Sequence, residues 1–130
     1  MVTFNKNFEY DLEFGEIREQ KVADILLNKK IEVKTERGQW ARTGNIAIEY
    51  EYKGKPSGIA TTQATYWFQI LEIDGKEFCT LMLKTDILKK LLKLTKNAKT
   101  VMGGDDRQSK LVLLPIKDIF NAAEECLLSE

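Results

Sequence analysis

Charged and apolar residues alternate in two neighbouring segments of the chain, which read Ile-Glu-Val-Lys from residue 31 and Ile-Ala-Ile-Glu-Tyr-Glu from residue 46. Side chains on a β-strand point to opposite faces in turn, so each segment places its charged residues on one face. These residues are Glu32 and Lys34 in the first segment and Glu49 and Glu51 in the second. If the two strands pair, three carboxylates and one ammonium group share a surface. Such a group suits a divalent cation and a polarised water.

The composition narrows the possible chemistry. The 130 residues include no histidine, which excludes Ser-His and Cys-His catalysis and histidine metal ligands. The two cysteines, Cys79 and Cys126, lie far apart in the chain and predict neither a zinc site nor a disulfide scaffold. Any hydrolysis would therefore use carboxylates, lysine and a hard metal ion.

Length and charge predict one domain spanning residues 1–130, since 43% of the residues are hydrophobic and 31% are charged. Lys plus Arg (20) equals Asp plus Glu (20), so no global positive field favours nonspecific nucleic-acid binding. No signal peptide is visible, and no apolar run approaches the roughly 20 residues of a membrane span. We expect a soluble protein without a membrane partner, located in the cytoplasm, or in the host-cell cytoplasm if a phage encodes it.

A helix is predicted over residues 14–27, because Gly15, Val22 and Leu26 belong to one stripe at helical spacing. Glu19 lies on the same stripe. It either points toward the carboxylate cluster or lies at the edge of the stripe near the helix N-terminus, where the dipole favours acids. The other predicted elements are strands 31–35 and 46–52, a short helix at 61–65, strands 66–73 and 77–83 joined by an Asp74-Gly75 hairpin turn, a helix at 86–96, a strand at 111–114 and a helix at 116–127.

The polar connection at residues 36–44 and the turn after the second strand carry candidate DNA contacts. Arg37 and Arg42 suit a phosphate backbone, and Trp40 either stacks on a base or folds back onto the core. Lys53 and Lys55 in the later turn are further candidate phosphate contacts.

Three features together resemble the PD-(D/E)XK nuclease superfamily, and within it small phage-type members and archaeal-type Holliday junction resolvases. They are Gly15-x-x-x-Glu19, Glu32-Val33-Lys34, and the stretch from Thr43-Gly44-Asn45 through Glu49 to Ser57-Gly58-Ile59. The resemblance implies an α/β fold with a restriction-endonuclease-like core, a central mixed β-sheet flanked by helices. It also implies Mg²⁺-dependent (or Mn²⁺-dependent) cleavage of DNA phosphodiester bonds by a homodimer, with branched DNA as a candidate substrate.

The same resemblance implies roles for the acidic residues and the lysine. Glu19, Glu32 and Glu49 would ligate the metal, Glu51 is a candidate second ligand, and Lys34 would orient the attacking water. The family places an aspartate before its E-x-K triplet, and this chain has none between the first helix and Glu32.

Two alignments accommodate the absent aspartate. In one, Glu32 and Lys34 are the E-x-K and the aspartate is replaced. In the other, Glu32 takes the aspartate's strand, Glu49-x-Glu51 takes the E-x-K position and the lysine has moved to Lys34. The second is preferred, because the short helix and the next strand directly follow the Glu49 strand, as in the family.

Two other functions stay open from the sequence. One is a noncatalytic nucleic-acid-binding module of the same fold with an incomplete site. The other is an interaction domain in which the glutamates and the lysine form only cross-strand ion pairs on a solvated sheet face.

Overall fold

The computed structural model describes residues 6–95 and 98–128, with side chains from residue 12 onward. The chain forms two compact units, residues 1–30 and residues 31–130. The prediction of a single domain stays a prediction.

The first unit contains helix α1 (Lys6–Asn28), which is longer than the predicted helix. Residues with good helix propensity fill its second half, and Asn28 donates a hydrogen bond to the Asp24 carboxylate one turn earlier, at 2.6 Å. No helix in the described part of the chain is both long and apolar enough to cross a membrane.

The second unit contains seven strands, four helices and a 3₁₀ turn at Gly58–Ala60 within the described residues. In chain order the strands and helices are β1 (Ile31–Arg37), α2 (Gln39–Thr43), β2 (Asn45–Tyr52), β3 (Lys55–Pro56), β4 (Tyr66–Ile73), β5 (Lys76–Lys84), α3 (Thr85–Leu94), β6 (Lys99–Gly103), β7 (Ser109–Pro115), α4 (Ile116–Asn121) and α5 (Ala123–Leu128). Helices combined with a mixed sheet confirm the predicted α/β class.

The mixed sheet has three strands in the order β1-β4-β5. β1 runs parallel to β4, from Ile31 beside Tyr66 to Arg37 beside Glu72. β4 and β5 form an antiparallel hairpin whose turn residues, Asp74 and Gly75, have φ values of 50° and 78°. Positive φ at both positions is what a two-residue type I′ turn requires, so the predicted hairpin is confirmed.

The second sheet is antiparallel, in the order β3-β2-β7-β6. β2 pairs with β7 along its length, but with β3 only through Glu51 and Tyr52. β3 therefore lies on the edge of β2 opposite β7. Among the described residues, no strand pairs with this edge of β2 over residues 45–50. The condition stated for the shared charged surface, pairing of β1 with β2, is therefore not met, because β1 pairs with β4 instead.

One hydrophobic core lies within the second unit and draws on both sheets, on α3 and on the C-terminal helices. β2 contributes Ile46 and Ile48, which are both 0% exposed, and β4 contributes Trp67 and Leu71. The remaining buried members are Ile59, Leu88, Leu91, Leu114, Ile119 and Cys126. α3 follows the predicted amphipathic pattern, since Leu88 and Leu91 lie three residues apart on one face.

Several element boundaries differ from the prediction. The helical turn expected at 61–65 occurs earlier, at Gly58–Ala60, and β6 lies in a stretch for which no helix or strand is predicted. The closing helix is divided at Ala122, whose φ and ψ of −96° and 9° depart from helical values. The predicted helix 86–96 is observed as Thr85–Leu94, and its residue 96 lies outside the described residues.

Candidate functional site

β1 turns its charged residues inward. Glu32, Lys34 and Glu36 are half-buried, whereas Val33 between them is 52% exposed. This orientation follows from the register with β4, in which Lys34 lies beside Gln69, and Gln69 is only 1% exposed. Because burying charge is unfavourable without compensating partners, an inward-facing charged row in a small domain calls for a functional explanation.

The charged row of β1 meets β2 at the edge opposite β7, where no described strand pairs with residues 45–50 of β2. A cavity of about 140 Å³ lies there, lined by Lys34, Glu36 and Glu49 together with Gln69 and Trp67. The backbone amide of Ala47 donates a hydrogen bond of 2.6 Å to Oε1 of Glu36. A side-chain carboxylate thus accepts the hydrogen bond that a neighbouring strand would otherwise accept, and the two strands stay apart around the cavity.

Glu36 is held by a chain of buried and partly buried hydrogen bonds. The Trp67 indole Nε1 donates to Oε1 of Gln69 at 2.7 Å, and Nε2 of Gln69 donates to Oε1 of Glu36 at 2.9 Å. Burial raises the pKa of the Glu36 carboxyl above its usual range, while the hydrogen bonds from Ala47 and Gln69 act in the opposite direction. Both donors meet the Oε1 atom of Glu36, so these two bonds fix the carboxylate and do not involve its Oε2 atom.

Glu49 is positioned by a close approach of the backbone at Gly58. A Cβ atom on Gly58 would lie 2.2 Å from the carbonyl oxygen of Glu49 and 2.9 Å from its carbonyl carbon. Gly58 also has a φ of 53°, in the left-handed region that favours glycine. The Ser57-Gly58-Ile59 stretch therefore packs against β2 at the residue whose side chain lines the cavity.

The other predicted ligands lie elsewhere. Glu32 is half-buried on the same face of β1 as Lys34 but does not line the cavity. Glu51 forms a 3.0 Å ion pair with Lys110, which raises the pKa of that lysine through hydrogen bonding and charge. Glu19 lies on α1, in the first unit, with an exposed side chain. Its part in the cluster stays a prediction.

Of the two predictions for Trp40, stacking on a base or folding back onto the core, the structure shows the second. Its indole Nε1 donates to the Glu72 carbonyl at 2.9 Å, and its ring centroid lies 5.6 Å from that of Phe78 at an angle of 33°. A role in stacking on a base stays a prediction, to which this packing lends no support.

The predicted basic DNA contacts are at the surface. Arg37 and Arg42 flank or lie within α2 and are exposed, as are Lys53 and Lys55 in the turn after β2. Lys53 Nζ lies 5.3 Å from the centroid of the Tyr52 ring. Their contacts with DNA stay predictions.

Glu36 and Gln69 are the site residues that the sequence interpretation did not assign. The alternation of Glu32, Lys34 and Glu36 extends past the predicted strand end at Thr35 into the predicted polar connection, and β1 in fact continues to Arg37. Gln69 interrupts an otherwise apolar run, Tyr-Trp-Phe-Gln-Ile-Leu, and a polar residue in a buried strand indicates a buried partner. Both signals were present in the sequence.

Comparison of this chain with protein-family models, with curated proteins and with solved structures finds no match.

Proposed function

We propose that this protein is a Mg²⁺-dependent endodeoxyribonuclease that hydrolyses DNA phosphodiester bonds. The observation that carries the proposal is the convergence of Lys34, Glu36 and Glu49 on one small cavity at the gap between β1 and β2. A restriction-endonuclease-like core, action on branched DNA, a homodimer and a cytoplasmic or host-cell cytoplasmic location belong to the same proposal, since the family resemblance implies the first three.

The donor set at the cavity fits magnesium. Within the described residues, no three acidic, cysteine or histidine side chains are grouped to hold a metal ion. Two carboxylates do flank the cavity, Glu36 and Glu49, and Mg²⁺ is usually held by one or two carboxylates, water and substrate phosphates. Mn²⁺ accepts the same oxygen ligands. Glu36 and Glu49 would hold the ion, and Glu32 lies farther along the same face of β1, beyond Lys34.

The bound ion would neutralise charge on the phosphoryl group under attack. The Lys34 ammonium group would donate hydrogen bonds to a phosphate oxygen or to the attacking water, and it would stabilise negative charge as that charge develops. Gln69 and Ala47 would keep the Glu36 carboxylate in one orientation, which limits reorganisation during the reaction. Arg37 and Arg42 would bind phosphates on either side of the cleaved bond.

The test is cleavage of labelled DNA by purified protein in Mg²⁺ and in Mn²⁺, with linear duplex, flap and four-way junction as substrates. We expect Lys34→Ala and Glu49→Gln to lower the cleavage rate by about 100-fold or more. The matched controls, Lys76→Ala and Glu77→Gln, alter exposed residues of β5 and should leave the rate unchanged. Chelation of the metal should abolish cleavage.

Two results would contradict the proposal. If the protein binds DNA regardless of metal and cuts none of the substrates, it is the noncatalytic binding module. If cleavage persists at the wild-type rate in Lys34→Ala, the activity comes from elsewhere or from a contaminant. Light scattering during gel filtration tests the homodimer separately.

A further inference from the structure

A second, larger cavity of about 390 Å³ adjoins the site and shares a wall with it. The shared wall consists of Glu36, Ala47 and Leu111, which line both cavities. Pockets of roughly 300 to 1,000 Å³ are the size that accommodates small organic ligands, so the volume is sufficient for a nucleotide.

The floor of the larger cavity is apolar and sheet-like. Ala47, Leu111, Leu113 and Val101 occupy facing positions on β2, β7 and β6, and they project to one side of the antiparallel sheet. Side chains that share one face of a sheet form a broad, level surface. A surface of this kind suits the flat face of an aromatic ring system.

The rim of the cavity is polar and carries unused hydrogen-bonding groups. Arg37, Gln39 and Asn45 line it, and across residues 12–95 and 98–128 none of their side chains has a hydrogen-bond or ion-pair partner. Asn and Gln amides present a donor and an acceptor side by side, which matches the edge of a nucleobase. The Arg37 guanidinium matches a phosphate.

We propose that the larger cavity binds the nucleobase of the nucleotide next to the cleaved phosphodiester, with its face on the apolar floor and its edge on Gln39 and Asn45. The inference rests on the proposed nuclease function, because the wall formed by Glu36 is what places the base beside the scissile phosphate. A base enclosed in a cavity cannot remain stacked and paired. The preferred substrate is therefore DNA in which a nucleotide is unpaired or easily extruded, as at a branch point or a bulge.

The experiment measures DNA binding in the Lys34→Ala background, where cleavage does not interfere. One duplex carries 2-aminopurine opposite an abasic site, and the other carries the same base paired with thymine. We expect the first duplex to bind about tenfold more tightly or better, because the paired base must first be unstacked and unpaired. The 2-aminopurine fluorescence should also change on binding the first duplex.

The variant Gln39→Leu/Asn45→Leu should abolish this preference, and Val101→Trp should do so by filling the cavity. The control, Gln63→Leu/Asn121→Leu, makes the same chemical changes at exposed positions outside the cavity and should keep the preference. Circular dichroism and thermal unfolding verify that each variant is folded. Equal binding of both duplexes by the Lys34→Ala protein, or an unchanged preference in folded Gln39→Leu/Asn45→Leu, overturns the inference.

The two proposals fail in different ways. A protein that cleaves DNA with Mg²⁺ but does not distinguish the two duplexes lacks the base-binding cavity and remains a nuclease. A protein that distinguishes them but never cleaves DNA binds an unpaired base without being a nuclease, which contradicts the placement of that base beside a scissile bond.

Discussion

β1 and β2 have the same alternating sequence pattern, but they bury opposite kinds of side chain. On β2 the apolar row is inside, and Ile46 and Ile48 are completely buried. On β1 the apolar Val33 is half-exposed, while Glu32, Lys34 and Glu36 lie on the side that continues into Trp67 and Gln69. Alternation thus determines which residues share a face, but the partner strand determines which face is covered.

The difference explains why the site lies between these two strands. An inward charged row can be accommodated only where water, a ligand or hydrogen-bonding groups remain within reach, and the gap beside β2 provides such a place. β2 supplies the rigid side of the gap because its other face is anchored in the core. β1 supplies two of the three charged side chains that line the cavity, Lys34 and Glu36.

The largest expected difference in stability is between two variants, each of which shortens one apolar side chain, Ile48 on β2 or Val33 on β1. Ile48→Ala is expected to lower the free energy of unfolding by about 4 kcal/mol, because it leaves a cavity in a fully buried position. Val33→Ala removes a half-exposed side chain and should cost less than about 1 kcal/mol. Urea unfolding of both variants measures the two values. Similar losses in both would contradict the inverted orientation of β1.

A second test concerns the close backbone contact between Gly58 and Glu49 of β2. Gly58→Ala combines a left-handed φ with a Cβ that meets the backbone of Glu49, so we expect a loss of about 3 kcal/mol in unfolding free energy. Gly54→Ala is the matched control, since Gly54 has a φ of 79° but no atom within 4 Å of an added Cβ. It should lose only about 1 to 2 kcal/mol. Equal losses in the two variants would show that contact with β2 contributes nothing.

Local signals in the sequence predicted much of this fold. The Asp74-Gly75 hairpin follows from turn chemistry alone, and the amphipathic pattern of α3 follows from its leucines. The partner of β1 could not be predicted in that way. Parallel pairing with β4 joins residues about 35 positions apart, and no local rule selects it over pairing with the nearer β2.

The candidate site, like the fold, was predictable only where local sequence patterns indicate it. Lys34 and Glu49 were assigned from alternation, and both line the cavity. Glu36 is not among the predicted site residues because the predicted strand ends at Thr35, two residues before the end of β1, and Gln69 is not because a single buried amide has no periodicity. What joins these four residues is a gap between two sheets, and a gap is a property of the tertiary packing.

The third and smallest expected effect concerns Glu36 of β1, which is held by burial and by hydrogen bonds from Ala47 and Gln69 and not by a close backbone contact. Burial raises the pKa of Glu36 in the folded protein above its usual value of 4.5. At a pH between the unfolded and the folded pKa, the folded protein therefore binds more protons than the unfolded chain. Stability is then greatest below the unfolded pKa and falls as the pH rises through the folded pKa.

Glu36→Gln keeps an acceptor oxygen for Ala47 and Gln69 but does not titrate. Relative to the wild type, its unfolding free energy should therefore increase as the pH rises from below 4.5 to neutral. Glu77→Gln, at an exposed position, serves as the control and should follow the wild type at every pH. If Glu36→Gln also follows the wild type throughout, burial does not govern this carboxyl, and the contrast between the two strands loses its electrostatic part.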